Sequence, residues 1–205
     1  MTEIKFSEQG PKPKLPLIGW VCTYTPEEII YAAGFHPFRL NENNPSTKLA
    51  DTYLHHNLCP YVRIYLDMGL RMEEKQLKGI VIVNSCDALR SLYHIWRKYV
   101  SSCSFVHFIN LPRITSPLAV DYFKQEIQKL IIALESHIGR KIKESDIAEA
   151  IDIYNKSRDL MRELYELRKS EHLGLKGTSV FKILQASQRM FKRFLIKSLK
   201  NLLKR

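Results

Sequence analysis

The 205-residue sequence holds only four cysteines, eight glycines and two tryptophans. No apolar run approaches the roughly 20 residues that a helical bilayer crossing needs. Cysteines 22, 59, 86 and 103 are too few and too far apart for the disulfide framework of a small secreted domain, and no two form a CxxC pair. Glycine-rich phosphate loops are missing too: neither GxGxxG nor GxxxxGK occurs, and the turn VCTYTPEE has no glycine at all, so nucleotide binding by those devices is not supported. The opening MTEIKFSEQGPKPKLP lacks the basic-then-apolar layout of a secretory signal. The expectation is a cytoplasmic chain without a membrane span, whose cysteines are core residues, reactive thiols or metal ligands.

Acidic residues are missing after Glu171, where nine basic residues follow. Of the formal net charge of +11, the last 34 residues carry +9 and the first 171 only +2. Phosphate-backbone binding draws on several cations gathered on one face. A nearly balanced body lacks that footprint, so no nucleic-acid partner is expected for it. In the tail, Met190, Phe191, Phe194, Leu195, Leu199, Leu202 and Leu203 recur at helical spacing, with Lys192, Arg193, Lys197, Lys200 and Lys204 on the other side. Such a basic amphipathic helix serves a membrane surface or an acidic partner, or packs its stripe against protein with the lysines in solvent.

With 45% apolar and 26% charged residues the composition suits a globular protein with a buried core. Residues 1–14 are polar and proline-containing, expected as a flexible lead-in. The segment 15–23 (LPLIGWVCT) reads as a buried strand; Pro26, Glu27 and Glu28 open a helix that Gly34 ends, and HPFRL returns as a strand. A short helical stretch reaches Leu54, and a helix runs over 60–71. GIVIVNS is a continuous apolar run of the kind covered on both faces, CDALRSLYHIWRKYV a helix and SFVHFIN a further strand. A helix over 118–137 presents Val120, Phe123, Ile127, Leu130, Ile131, Leu134 and Ile138 on one stripe. Strands alternating with helices across short turns predict an α/β fold, a Rossmann-like parallel sheet flanked by helices, over 15–139. From 140 to 205 the pattern is helical only, with Ile147, Ile151, Tyr154, Met161, Leu164 and Tyr165 on the stripe of 144–170, then SVFKILQASQRM and the basic helix.

Ligands of open parallel sheets bind at the carboxyl ends of strands, where the following helices begin. Cys59 directly precedes Pro60 at one helix start, and Cys86 stands between a strand and the helix opened by Asp87. Thiols there have their thiolates stabilised by the helix dipole, which favours nucleophilicity or metal ligation; the alternative is two small buried residues at tight turns. His55 and His56 precede Cys59 but read as a solvated loop, and Cys22 and Cys103 read as core. Glu27 and Glu28 sit in a first helical turn, where a carboxylate either complements the dipole or serves as general acid or base; which of the two faces inward is left open.

Four blocks in this order, WVCTYTPEEIIYAAGFHPFRL, NLCPYVRIYLDMGL, GIVIVNSCDALRSLYHIW and FVHFINLPR, resemble the D-component family of 2-hydroxyacyl-CoA dehydratases, to which benzoyl-CoA reductase subunits also belong. The resemblance spans roughly residues 17–190. It implies an iron-sulfur subunit, with a [4Fe-4S] cluster on three cysteines and an open iron site for a CoA thioester. An ATP-dependent activator protein would supply one electron, giving a ketyl radical anion that expels a leaving group. By position, Cys59 in NLCP and Cys86 in NSCDA match two cluster cysteines, and Glu28 in PEEII matches a glutamate near the active site. Family subunits are nearly twice as long, and their second α/β domain supplies the third cysteine. The expected ligand set in this chain is therefore incomplete, to be completed by Cys22, by a second chain (a second dehydratase-type subunit or a missing C-terminal half) or by a dimer mate. The alternative expectation is a non-catalytic scaffold or interaction remnant that needs a second chain.

Overall fold

A computed structural model of the chain describes residues 15–41, 45–71, 77–167, 169 and 176–203. The lead-in at 1–14, the break around 171–175 and the last two basic residues lie outside the described residues. The chain divides into two compact units, an α/β unit over 15–142 and a helical unit from 143 onward.

The α/β unit runs β1 (Leu17–Trp20), α1 (Glu27–Ala32), β2 (His36–Arg39), a 3-10 turn (Ala50–Thr52), α2 (Pro60–Arg71), β3 (Leu77–Asn84), α3 (Asp87–Tyr99), β4 (Phe105–Asn110) and α4 (Pro117–Ile138). The four strands are all parallel, in the order β2-β1-β3-β4. This is the α/β architecture expected from the alternation of elements. Pro37 is tolerated because β2 is an edge strand, where a missing N–H leaves no interior ladder bond unmade. The β3 run Ile80–Val83 is fully buried, as its unbroken apolar sequence requires of a central parallel strand.

Alternation along the strands sorts the side chains into two layers. Ile80 and Ile82 join Leu66, Leu89, Leu92 and Trp96 of α2 and α3 in one cluster. On the other face Phe105 meets His137 of α4 with ring centroids 5.3 Å apart, and His137 also approaches Phe35 beyond α1. Helix α4 is capped at both ends: Ser116 accepts from the Ala119 N–H at 3.1 Å, Pro117 follows it, and Gly139 closes the helix at φ 70°. Its buried stripe is Ala119, Glu126, Leu130 and Leu134, whereas Val120, expected on that stripe, is 66% exposed. Leu130 and Leu134 hold the expected stripe, and the buried row adds a charged residue, Glu126, that apolar periodicity passes over.

The helical unit comprises α5 (Glu144–Leu167), α6 (Gly177–Ser187) and α7 (Lys192–Leu203). Leu195 and Leu199 of the basic helix are fully buried with Leu164 of α5 and Val180, Ile183 and Ala186 of α6. The apolar stripe of the tail is thus covered by the neighbouring helices. Lys192, expected in solvent, is buried instead: its ammonium donates to the Ser187 carbonyl at 2.7 Å and lies 4.9 Å from the Tyr154 ring centre. A cation at the end of α6 is favoured by the helix dipole and by the aromatic face. On α5 Tyr154 and Leu164 of the expected stripe are buried, whereas Ile151 and Tyr165 are exposed and Ala150, Ile153 and Ser157 are buried in addition.

Close approach of β3 to β4 requires Gly79. A Cβ there would lie 2.5 Å from the backbone oxygen of Phe105 and 2.6 Å from its Cβ. Gly79→Ala is expected to destabilise the α/β unit by about 1–3 kcal/mol through overpacking, read as a lower urea midpoint.

Candidate functional site

In a parallel sheet each crossover helix starts at the edge where the strands end. Here β1 pairs with β2 on one side and β3 on the other, so the order reverses between β1 and β3, the place where such sheets bind ligands. The two sides of that switch point are joined by Cys22, whose Sγ donates to Ser85 Oγ at 3.2 Å. Cys22 is half-buried just beyond β1.

Both cysteines expected at helix starts stand on this edge and both are exposed, which excludes the reading of buried turn residues. Cys86 is the N-cap of α3, in extended backbone, and its carbonyl accepts from Arg90 N–H at 3.2 Å. Cys59 immediately precedes α2, and its carbonyl accepts from Val62 and Arg63. The loop that leads to Cys59 is pinned from α2 itself. Arg63 donates to Asp51 at 2.7 Å and to the His56 carbonyl at 3.0 Å, and fully buried Asp67 accepts from Leu49 N, Ala50 N and Arg71. Burial raises the Tyr65 hydroxyl above its ordinary pKa; the Arg39 guanidinium opposes this, and neighbouring Tyr61 and Cys59 add to the rise.

The other sequence candidates fall into place individually. Glu27 and Glu28 are both half-buried in the first turn of α1. His55 and His56 are exposed and stacked, and the Asn57 N–H donates to His55 Nδ1. Cys103 is a core residue ahead of β4, on the opposite edge, and burial pushes its thiol up. Among the described residues no three His, Cys, Asp or Glu side chains gather into a metal-sized group. As donors, the Cys59 and Cys86 thiols fit two positions of an iron-sulfur site, since each is accessible and lies at the positive end of a helix.

A chain of polar groups beside this edge carried no catalytic motif in the sequence. Asn84 ends β3 and donates from Nδ2 to Asn110 Oδ1 at 3.2 Å; Asn110 ends β4 and donates from its backbone N–H, at 2.9 Å, and from Nδ2 to Glu126 Oε2. Lys129 donates to the second oxygen of Glu126 at 2.6 Å. Burial raises the Glu126 carboxyl, but the bonds from Lys129 and Asn110 outweigh it and hold the group below the usual range. Nearby His107 is pushed down by burial, with Glu126 pulling the other way. The sequence signal was modest: two apolar strands, each ending in asparagine.

Comparison with known proteins decides the family. Residues 22–205 match the family described as 2-hydroxyglutaryl-CoA dehydratase, D-component. The chain belongs to this family. It is 30% identical over 178 residues to (R)-2-hydroxyglutaryl-CoA dehydratase subunit beta of Acidaminococcus fermentans, covering 86% of this chain and 46% of the relative. It is 25% identical over 177 residues to a benzoyl-CoA reductase subunit of Thauera aromatica, covering 85% and 46%. With the (R)-phenyllactyl-CoA dehydratase beta subunit of Clostridium sporogenes it shares 27% over 158 residues, 77% and 42%. The chain spans about half the length of these relatives. No helix among the described residues of this D-component chain is long and apolar enough to cross a membrane.

Two outcomes follow for the site. Titration with an aromatic disulfide should label Cys59 and Cys86 fastest, Cys22 more slowly and Cys103 only on unfolding, read by mass spectrometry of the labelled peptides. A depressed Glu126 pKa stabilises the fold above the unfolded value of about 4.3 and is lost as pH falls through the lower folded value. Glu126→Gln should cost about 1–3 kcal/mol near neutrality and flatten the acid limb of stability against pH.

Proposed function

We propose that this chain is a 2-hydroxyacyl-CoA dehydratase-type subunit, working in the cytoplasm with a second dehydratase-type subunit or C-terminal half and with an ATP-dependent activator protein. The observation that carries this reading is the pair of exposed cysteines, Cys59 and Cys86, at the starts of α2 and α3 on the carboxyl edge of the sheet. Their thiolates hold a [4Fe-4S] cluster together with a third thiolate, from Cys22 or from the partner chain. When bound, the cluster supplies single-electron chemistry to a CoA thioester.

The chain's own residues then do three things. The starts of α2 and α3 present the two thiols to solvent on the carboxyl edge of the sheet. The ties of Arg63 and Asp67 hold the segment that leads to Cys59 against α2. Glu28, half-buried in the first turn of α1 beyond β1, holds or moves a proton beside the same edge. The family membership and the relatives, which include (R)-2-hydroxyglutaryl-CoA dehydratase subunit beta, support the substrate class.

Anaerobic reconstitution with ferrous iron and sulfide tests the assignment. Wild-type chain, alone or with its partner subunit, should develop the broad visible absorbance of an iron-sulfur cluster, and Cys59→Ala and Cys86→Ala should each lose most of it. Full cluster absorbance in either variant would refute the ligand assignment.

A further inference from the structure

Helix α4 buries one side and leaves the other bare. Residues three, four and seven positions from Gln125 share its face of the helix, and that face is turned away from the buried row of Glu126, Leu130 and Leu134. All of them are exposed, and three are large and apolar: Leu118 is 77% exposed, Ile132 63% and Tyr122 41%. Single exposed apolar residues are ordinary, but several along one helical stripe mark an interaction surface.

The stripe is complementary to itself about its midpoint. Leu118 and Ile132 lie seven residues to either side of Gln125, and Asp121 and Lys129 lie four residues to either side. A second α4, antiparallel and turned about a two-fold axis at Gln125, therefore sets Leu118 against Ile132 of the second copy and Asp121 level with Lys129 of the second copy, each contact occurring twice. Tyr122 offers its ring to the same ammonium, and the two Gln125 amides meet on the axis, each with a donor and an acceptor. Parallel pairing in register would instead set Lys129 against Lys129 and Asp121 against Asp121, which like-charge repulsion disfavours.

Among the described residues the buried-side carboxylates Glu126 and Glu135 have their lysines, Lys129 and Lys141, and Asp121 has none. Lys129 donates one hydrogen to Glu126 at 2.6 Å, and an ammonium carries three, so it can serve Asp121 of the second copy without giving up Glu126. We infer that this stripe of α4 is a homodimer surface, on which two copies of the chain pair antiparallel about Gln125. One helix pair falls in the small, reversible class of interfaces, below about 1,200 Å², so monomer and dimer exchange in the micromolar range. No cysteine takes part, and the dimer stands apart from the cofactor reading.

Sedimentation equilibrium of the full chain, kept reduced so that Cys59 and Cys86 do not cross-link, tests the inference. Wild type should pass reversibly from monomer to dimer as its concentration rises through the micromolar range. Leu118→Glu, Ile132→Lys and Asp121→Lys should each weaken the dimer about tenfold or more, with melting temperatures unchanged because all three positions are exposed. The double variant Leu118→Glu with Ile132→Lys should dimerise more tightly than either single variant. These two residues stand about 21 Å apart along one helix, so their new charges meet only between copies. A monomer at every concentration, a dimer indifferent to all three single substitutions, or no recovery in the double variant overturns the inference.

Discussion

Parallel pairing of β1 with β3 is the constraint on which the site depends. Once those strands run the same way, each connection must cross back over the sheet, and each crossover helix begins where a strand ends. Cys22, Tyr24 and Glu28 after β1, Cys59 before α2, Ser85 and Cys86 after β3 and the loop after β4 all share one edge for that reason. Cys103 precedes a strand instead of following one, and the same rule sends it to the far edge and into the core. Four thiols of one chemistry are thereby placed in different surroundings, two exposed, one half-buried and one in the core.

Two buried acids then stiffen what the topology has gathered. Asp67 and Glu126 are 0% and 2% exposed; Asp67 accepts from two backbone amides and Glu126 from one, and each accepts from one cation on its own helix, Arg71 and Lys129. Burying a carboxylate is costly unless it is fully bonded, and both are placed so that the bonds they make tie a loop to a helix. Asp67 anchors the segment before Cys59, and Glu126 anchors the end of β4.

Much of this architecture could be read from pattern. The unbroken run GIVIV, the Pro-Glu-Glu helix start and the helix positions of Cys59 and Cys86 follow from period, capping and strand-end rules. Sequence reasoning faltered wherever a polar residue occupied a buried row. Apolar periodicity assigned Val120 to the core and passed over Glu126, because a carboxylate becomes acceptable inside only once Asn110 and Lys129 are known to meet it. Lys192 misled in the same way, since its place over Tyr154 depends on a residue 38 positions away in the chain. The orientation of Asn84 was beyond reach of any local rule, being set by a relay across two strands and a helix.

The covered stripe of α7 changes how the basic tail can be probed. Leu195 and Leu199 complete the interior that Leu164, Val180 and Ile183 share, so trimming the chain at residue 188 would strip those three of their cover as well as removing charge. Any loss of affinity for a polyanion in such a trimmed protein would confound electrostatics with melting of α5 and α6. Charge reversal at Lys197 and Lys200, outside the buried row, alters the field and leaves the hydrophobic seam whole.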